Sequence, residues 1–159
     1  MKKFILLLTF VLVAVGEIIK YVIASSMELY ESIKIIPNFL SITYVKNTGA
    51  AFSILEGNKY LLIGISVITL AFLIRFILID KKITKYDVVS YSLLLSGIIG
   101  NLIDRIAHNG VIDYIHFKLF SYEAPIFNFS DICIVFGVLM VMYVLVIRGD
   151  NYEDIHSRK

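Results

Sequence analysis

The chain has 159 residues, one domain's worth of sequence, and 58% of them are hydrophobic against 18% charged. With a mean hydropathy of +0.83, a soluble fold of this size has too little interior for that much apolar side chain, so much of the surface must face something other than water. Fifteen basic and 13 acidic residues leave a net charge of +2 without a long basic run, which argues against nucleic acid as a partner. The single cysteine, Cys133, excludes an internal disulfide, a multi-cysteine zinc site and a dithiol pair.

Crossing a hydrocarbon core about 30 Å thick takes about 20 apolar residues. Four stretches qualify: Phe4 to Ile23, interrupted only by Glu17 and Lys20; Tyr60 to Ile79, with Arg75 near its end; Val88 to about Ile103; and Ile132 to Ile147. The last two are short, so their ends must lie close to the interfaces. A segment in lipid must satisfy its own backbone, which makes each a helix. The expected fold is an all-α membrane protein: four transmembrane helices (about 4–23, 60–79, 88–106 and 131–148) with a small extracytoplasmic β-sheet and a lid-like loop, forming one polytopic domain over 1–159. Met1-Lys2-Lys3 before an apolar run also fits a secretory signal peptide. Cleavage there would remove one wall of a four-span bundle, so residue 1 is kept.

With the amino terminus inside, the inner flanks hold Lys2, Lys3, Lys81, Lys82, Lys85, Arg148, Arg158 and Lys159. The longer outer loops hold only Lys34, Lys46, Lys59 and Lys118. That asymmetry places both termini in the cytoplasm. The outer connections, Ala24 to Lys59 and Asp104 to Asp131, are long enough to carry function. Phe39 to Val45 and Val111 to Phe120 are β-rich, and Asn47-Thr48-Gly49 is a turn signal. A sheet over about 33–55 and 111–120 is expected as a platform, with the second connection as its lid. The polar tail after Arg148 is expected to be a solvated, partly disordered end.

Ionisable groups in or beside spans are expensive and usually face a bundle interior. Arg75 lies about one turn from its interface and can snorkel. Glu17 and Lys20, at i and i+3, share a helix face as an ion pair or as part of a site. Asp104 and Asp131 each lie sixteen residues from the inner end of their spans, hence at one depth near the outer surface. Asp113 can fold back to the same level. Asp104 stands beside Arg105, which fits charge pairing at a helix end as well as chemistry. Asp131, after Asn128-Phe129-Ser130, fits an N-cap. Asp113 lies among Val111, Ile112, Tyr114 and Ile115, a setting that disfavours ionisation. Two such acids can share one proton, one activating water while the other polarises a carbonyl. Cys133 reads as a small packing residue. His108, His116 and His156 lack ligand spacing, so neither a metal nor another cofactor is expected.

Four blocks, Asn47-Thr48-Gly49-Ala50-Ala51-Phe52, Gly100-Asn101-Leu102-Ile103-Asp104-Arg105, Gly110-Val111-Ile112-Asp113-Tyr114-Ile115 and Phe127-Asn128-Phe129-Ser130-Asp131, resemble in order and spacing the signature of bacterial lipoprotein signal peptidase. The resemblance runs from the first helix to the last. It implies an aspartic endopeptidase of the bacterial cytoplasmic membrane that cuts prolipoproteins before a diacylglyceryl-modified cysteine, with Asp113 and Asp131 as the catalytic pair. Asn47, Asn101, Asp104, Arg105 and Asn128 match positions that shape the site or hold substrate backbone, and Lys20 matches a first-helix lysine. The implied partners are the lipidated prolipoprotein and membrane lipid. The sequence departs from the family pattern where Gly16-Glu17 replaces Asp-Gln, Ser130 replaces Ala, Tyr114 replaces Phe, and Ser96-Gly97 replaces paired glycines. A rival reading is a small four-helix proton-coupled transporter marked by Glu17.

Overall fold

The structure, a computed structural model, describes residues 1–50, 54–120 and 122–157, with side chains as far as Val146. Four helices form the bundle: α1 (Lys2–Ser26), α2 (Lys59–Ile79), α3 (Lys85–His108) and α4 (Phe129–Ser157). All four contain windows long and apolar enough to cross a membrane. Their outward faces carry side chains such as Phe10 and Phe72, each 72% exposed, which water would not tolerate at that density and lipid would.

α3 is the central post. More than half (56%) of its apolar window is buried, against 11–22% in the other helices. It starts with a capping box in which Thr84 and Asp87 satisfy each other's backbone N–H groups. It stops at Asn109, whose φ of 63° turns the chain out of the helix. On α1 the buried residues Ile5, Thr9, Gly16 and Lys20 form one stripe at helical spacing. At the end of the bundle that holds the amino terminus, Ile5, Ile77, Val88, Tyr91 and Leu95 pack into an apolar cluster joining α1, α2 and α3.

The helices extend beyond the apolar stretches because caps and polar turns, not hydropathy, decide where they stop. The expected disordered tail is instead helical: α4 continues to Ser157. The residues after Arg148 include one glycine and no proline, so nothing in the backbone chemistry breaks the i to i−4 ladder there.

Both outer connections meet in one antiparallel sheet of order β1-β2-β3-β4, formed by Ser32–Ile36, Leu40–Asn47, Val111–Leu119 and Tyr122–Glu123. The segment expected to act as a lid therefore supplies half of the platform. β2 carries one extra residue between Ile42 and Val45, a bulge immediately before Val45 pairs with Asp113. Beyond β4 the chain returns along β3: Ile115 N donates to the Phe127 carbonyl at 2.8 Å and Phe127 N to the Ile115 carbonyl at 3.1 Å. Phe127 stacks on Phe117 with ring centroids 5.9 Å apart. This return delivers the start of α4 to the side of Asp113.

Candidate active site

α4 opens with a reciprocal cap. Asn128 N donates to Asp131 Oδ2 at 3.1 Å, and Asp131 N donates to Asn128 Oδ1 at the same distance. Asp131 is thus the third residue of its helix and a partner of the cap, rather than the cap itself. Its other oxygen, Oδ1, accepts from Asn101 Nδ2 of α3 at 2.8 Å. Asn128 Nδ2 donates to Asp113 Oδ1 at 2.6 Å and to Asn101 Oδ1 at 3.2 Å. Asn47 Nδ2, at the end of β2, donates to Asp113 Oδ2 at 3.1 Å. Two carboxylates from different elements are therefore tied together by Asn101 and Asn128, with Asn47 closing the far side.

Asp113 is 2% exposed. Burial and the nearby Asp131 charge push its carboxyl up from the ordinary 3.8 to about 7, although Asn128, Asn47 and Lys20 pull the other way. The next residue, Tyr114, is also buried, and that burial raises its hydroxyl to about 12. Its oxygen accepts from Phe129 N at 3.2 Å, satisfying an orphan donor at the start of α4. The signal for this contact was a tyrosine in an apolar strand, since a buried hydroxyl needs a partner; sequence alone could not name the partner.

Asp104 lies behind this pair and is fully buried. The expected pairing with its neighbour Arg105 does not occur, because consecutive helical residues point about 100° apart. Asp104 Oδ2 instead meets Lys20 Nζ at 2.7 Å and accepts from Ile112 N at 3.0 Å, one residue before Asp113. Lys20 also meets Glu17 at 3.3 Å, so the ion-pair reading of Glu17 and Lys20 is realised within a longer chain ending at the strand that carries Asp113. Arg105 turns toward the first outer connection: Nη1 donates to the Asn101 carbonyl at 3.2 Å and Nη2 to the Gly49 carbonyl at 3.3 Å. Gly49 N in turn donates to Asn47 Oδ1 at 2.9 Å, which fixes the amide that faces Asp113. Ala51 and Phe52 of this block lie outside the described residues. Cys133 is 2% exposed and packed within the bundle. All eight site residues expected from sequence are thus linked through side-chain or backbone contacts.

A family model for signal peptidase II (SPase II) matches residues 8–147. The chain belongs to the signal peptidase II family. It is similar to a lipoprotein signal peptidase of Staphylococcus aureus, 37% identical over 94% of this chain and 91% of the relative. Two bacterial membrane enzyme structures solved by the in meso method, at 2.3 and 1.9 Å, are each 35% identical. They superpose with TM-scores of 0.85 and 0.80, over 92% and 89% of this chain and 90% and 91% of theirs. A signal peptidase II is a peptidase, and this one is a multi-pass bacterial membrane protein. Two of its departures from the family pattern are neighbours in space: a Cβ at Gly16 would lie 3.7 Å from Ser130 Oγ. A third, Tyr114, uses its added hydroxyl on Phe129 N, at the start of the same helix.

Proposed function

We propose that this signal peptidase II is an aspartic endopeptidase that removes the signal peptide from diacylglyceryl-modified prolipoproteins before the lipidated cysteine. The reaction takes place at the outer edge of the cytoplasmic membrane, with both termini inside. The observation that carries this reading is the pair Asp113 and Asp131, bridged by two asparagines.

Asp113, with its raised pKa, holds the shared proton and donates it to the scissile carbonyl oxygen. Asp131 takes a proton from water as the water oxygen attacks the carbonyl carbon. The resulting gem-diol collapses, the C–N bond breaks, and the leaving amine takes the proton from Asp131 while Asp113 recovers one from the diol. Asn47, Asn101 and Asn128 hold the two carboxyl groups in register, and Asn47 and Asn101, each with one amide hydrogen left, offer donors to an extended substrate backbone, whose unpaired groups would be costly to bury. The substrate enters sideways from the bilayer, so its acyl chains remain in lipid. Glu17 is engaged by its ion pair with Lys20, which leaves the transporter reading without a free membrane acid at that position.

The test is incubation of the purified protein in detergent with a prolipoprotein carrying the diacylglyceryl group and with the same protein lacking it. Mass spectrometry should find cleavage before the modified cysteine only in the first. Absence of cleavage, or cleavage elsewhere in the chain, would refute the assignment.

A further inference from the structure

On the face of the sheet opposite the Asn47–Asp113 contact lies a cavity, about 300 Å³ in volume, that the proposed reaction does not use. Side chains alternate along a strand. Asn47 and Asp113 face one another on the side of the paired aspartates, whereas the register partners Lys46 and Ile112 line this cavity. Its floor is buried and built from Lys20, Asp104 and Ile112; half-buried Glu17 and Tyr44 line its walls, and its rim is exposed and includes Tyr21, Lys46 and His108.

Floor and rim ask for different things. Lys20 is already matched by Glu17 and Asp104. Among the described residues, neither Lys46 nor His108 has an acidic partner within 4.0 Å; His108 feels the charge of Glu17, which also lines the cavity and is itself paired with Lys20, so the rim keeps two N–H donors for an anion. Asp104 Oδ2 takes both the Lys20 and Ile112 donors. The other oxygen, Oδ1, is buried and has no hydrogen-bond partner among the described residues. A buried acceptor of this kind calls for a donor. The cavity also borders the carboxyl-terminal half of α1, where Tyr21 is 74% exposed.

We propose that this cavity binds a phospholipid headgroup, its phosphate held by Lys46 and His108 and its hydroxyl or ammonium end donating to Asp104 Oδ1. An anion at the rim and a donor at the floor, separated by a few bonds and carried on acyl chains, describe a phosphodiester headgroup of the phosphatidylglycerol or phosphatidylethanolamine kind. Phosphatidylcholine has the phosphate but no donor.

The experiment is native mass spectrometry of the full chain released from detergent and titrated with dioctanoyl phosphatidylglycerol, phosphatidylethanolamine or phosphatidylcholine, and with sn-glycerol 3-phosphate. One bound phosphatidylglycerol or phosphatidylethanolamine is expected, with phosphatidylcholine at least about tenfold weaker, the loss of one strong hydrogen bond. Lys46→Gln and His108→Gln should each weaken phosphatidylglycerol binding about tenfold, and Lys34→Gln on β1 should not. If one rim variant fails to fold, the other carries the same comparison. Equal binding of phosphatidylcholine, or unchanged binding in the rim variants, would overturn the proposal. Binding of sn-glycerol 3-phosphate as tight as that of the lipid would overturn it too, assigning the cavity to a soluble phosphate ester instead.

Discussion

Asp113 is almost fully withdrawn from solvent, 2% exposed, and its chemistry follows from that. Its carboxyl, pushed from 3.8 to about 7, resists ionisation in the folded state. Asp113 by itself therefore favours the folded state most below about pH 4, and that contribution is lost progressively as pH rises through about 7. Activity should follow the same group: kcat/KM should fall as pH rises through about 7, as Asp113 loses the proton it gives to the carbonyl. A profile measured from about pH 5 to 9 in detergent checks this, and a flat alkaline side would exclude Asp113 as the acid. Glu17 provides a contrast. Its side chain is 29% exposed and meets Lys20 at 3.3 Å, while Lys20 keeps its shorter, buried contact with Asp104. Glu17→Gln should therefore cost well under about 1 kcal/mol of stability and reduce cleavage less than any change at the paired aspartates. Lys20→Met should destabilise the protein by about 3–5 kcal/mol, because it leaves Asp104 buried without its cation. Thermal unfolding and cleavage rates for the two variants separate these outcomes. At this scale the apolar run around Asp113 was legible in sequence, since neighbours in a strand set a residue's surroundings. The partner of Asp104 was not, because it comes from a helix 84 residues away in sequence.

The elements meet where side chains are missing. A Cβ on Gly97 would press on the Ser130 carbonyl and on Ile134, and one on Gly100 on Ser130 Oγ. Gly137 of α4 faces Leu94 of α3 in the same way. Small residues let membrane helices approach closely, and here the closeness sets the start of α4 and hence Asp131. Gly97→Ala should cost about 1–3 kcal/mol and lower cleavage as Asp131 shifts away from Asn101. A Cβ on Gly64 of α2 would meet nothing within 4 Å, so Gly64→Ala should leave activity intact and stabilise slightly through helix propensity. Melting temperature and cleavage rate, measured on both, test the difference. The four spans were legible because lipid imposes one length and one polarity on every crossing. Their ends were less so: the caps at Thr84 and Asn128 are local chemistry that a hydropathy window averages away. The sheet's existence could be read from its β-rich segments, but the bulge in β2 and the pairing of both outer connections depend on contacts between distant strands.

Across the whole molecule, polarity is sorted along the bundle. The end that holds the amino terminus is closed by the apolar cluster of Ile5, Ile77, Val88, Tyr91 and Leu95. The opposite end gathers buried charges and amides: Lys20, Asn101, Asp104, Asp113 and Asn128. In a chain with only 18% charged residues, this gathering of buried polar groups at one end of the bundle stands out. The sheet stands over that end, with the paired aspartates on one side and the cavity rimmed by Lys46 and His108 on the other. The reading as an aspartic protease rests on the paired aspartates, and one comparison reaches it directly: the rate at which Asp113→Asn and Asp131→Asn each cleave a lipidated prolipoprotein in detergent, beside the unaltered protein. Both substitutions nearly preserve size, and each should reduce the rate at least about hundredfold, the scale of a lost general acid or base. Cleavage at the unaltered rate by either variant would contradict the assignment of the pair.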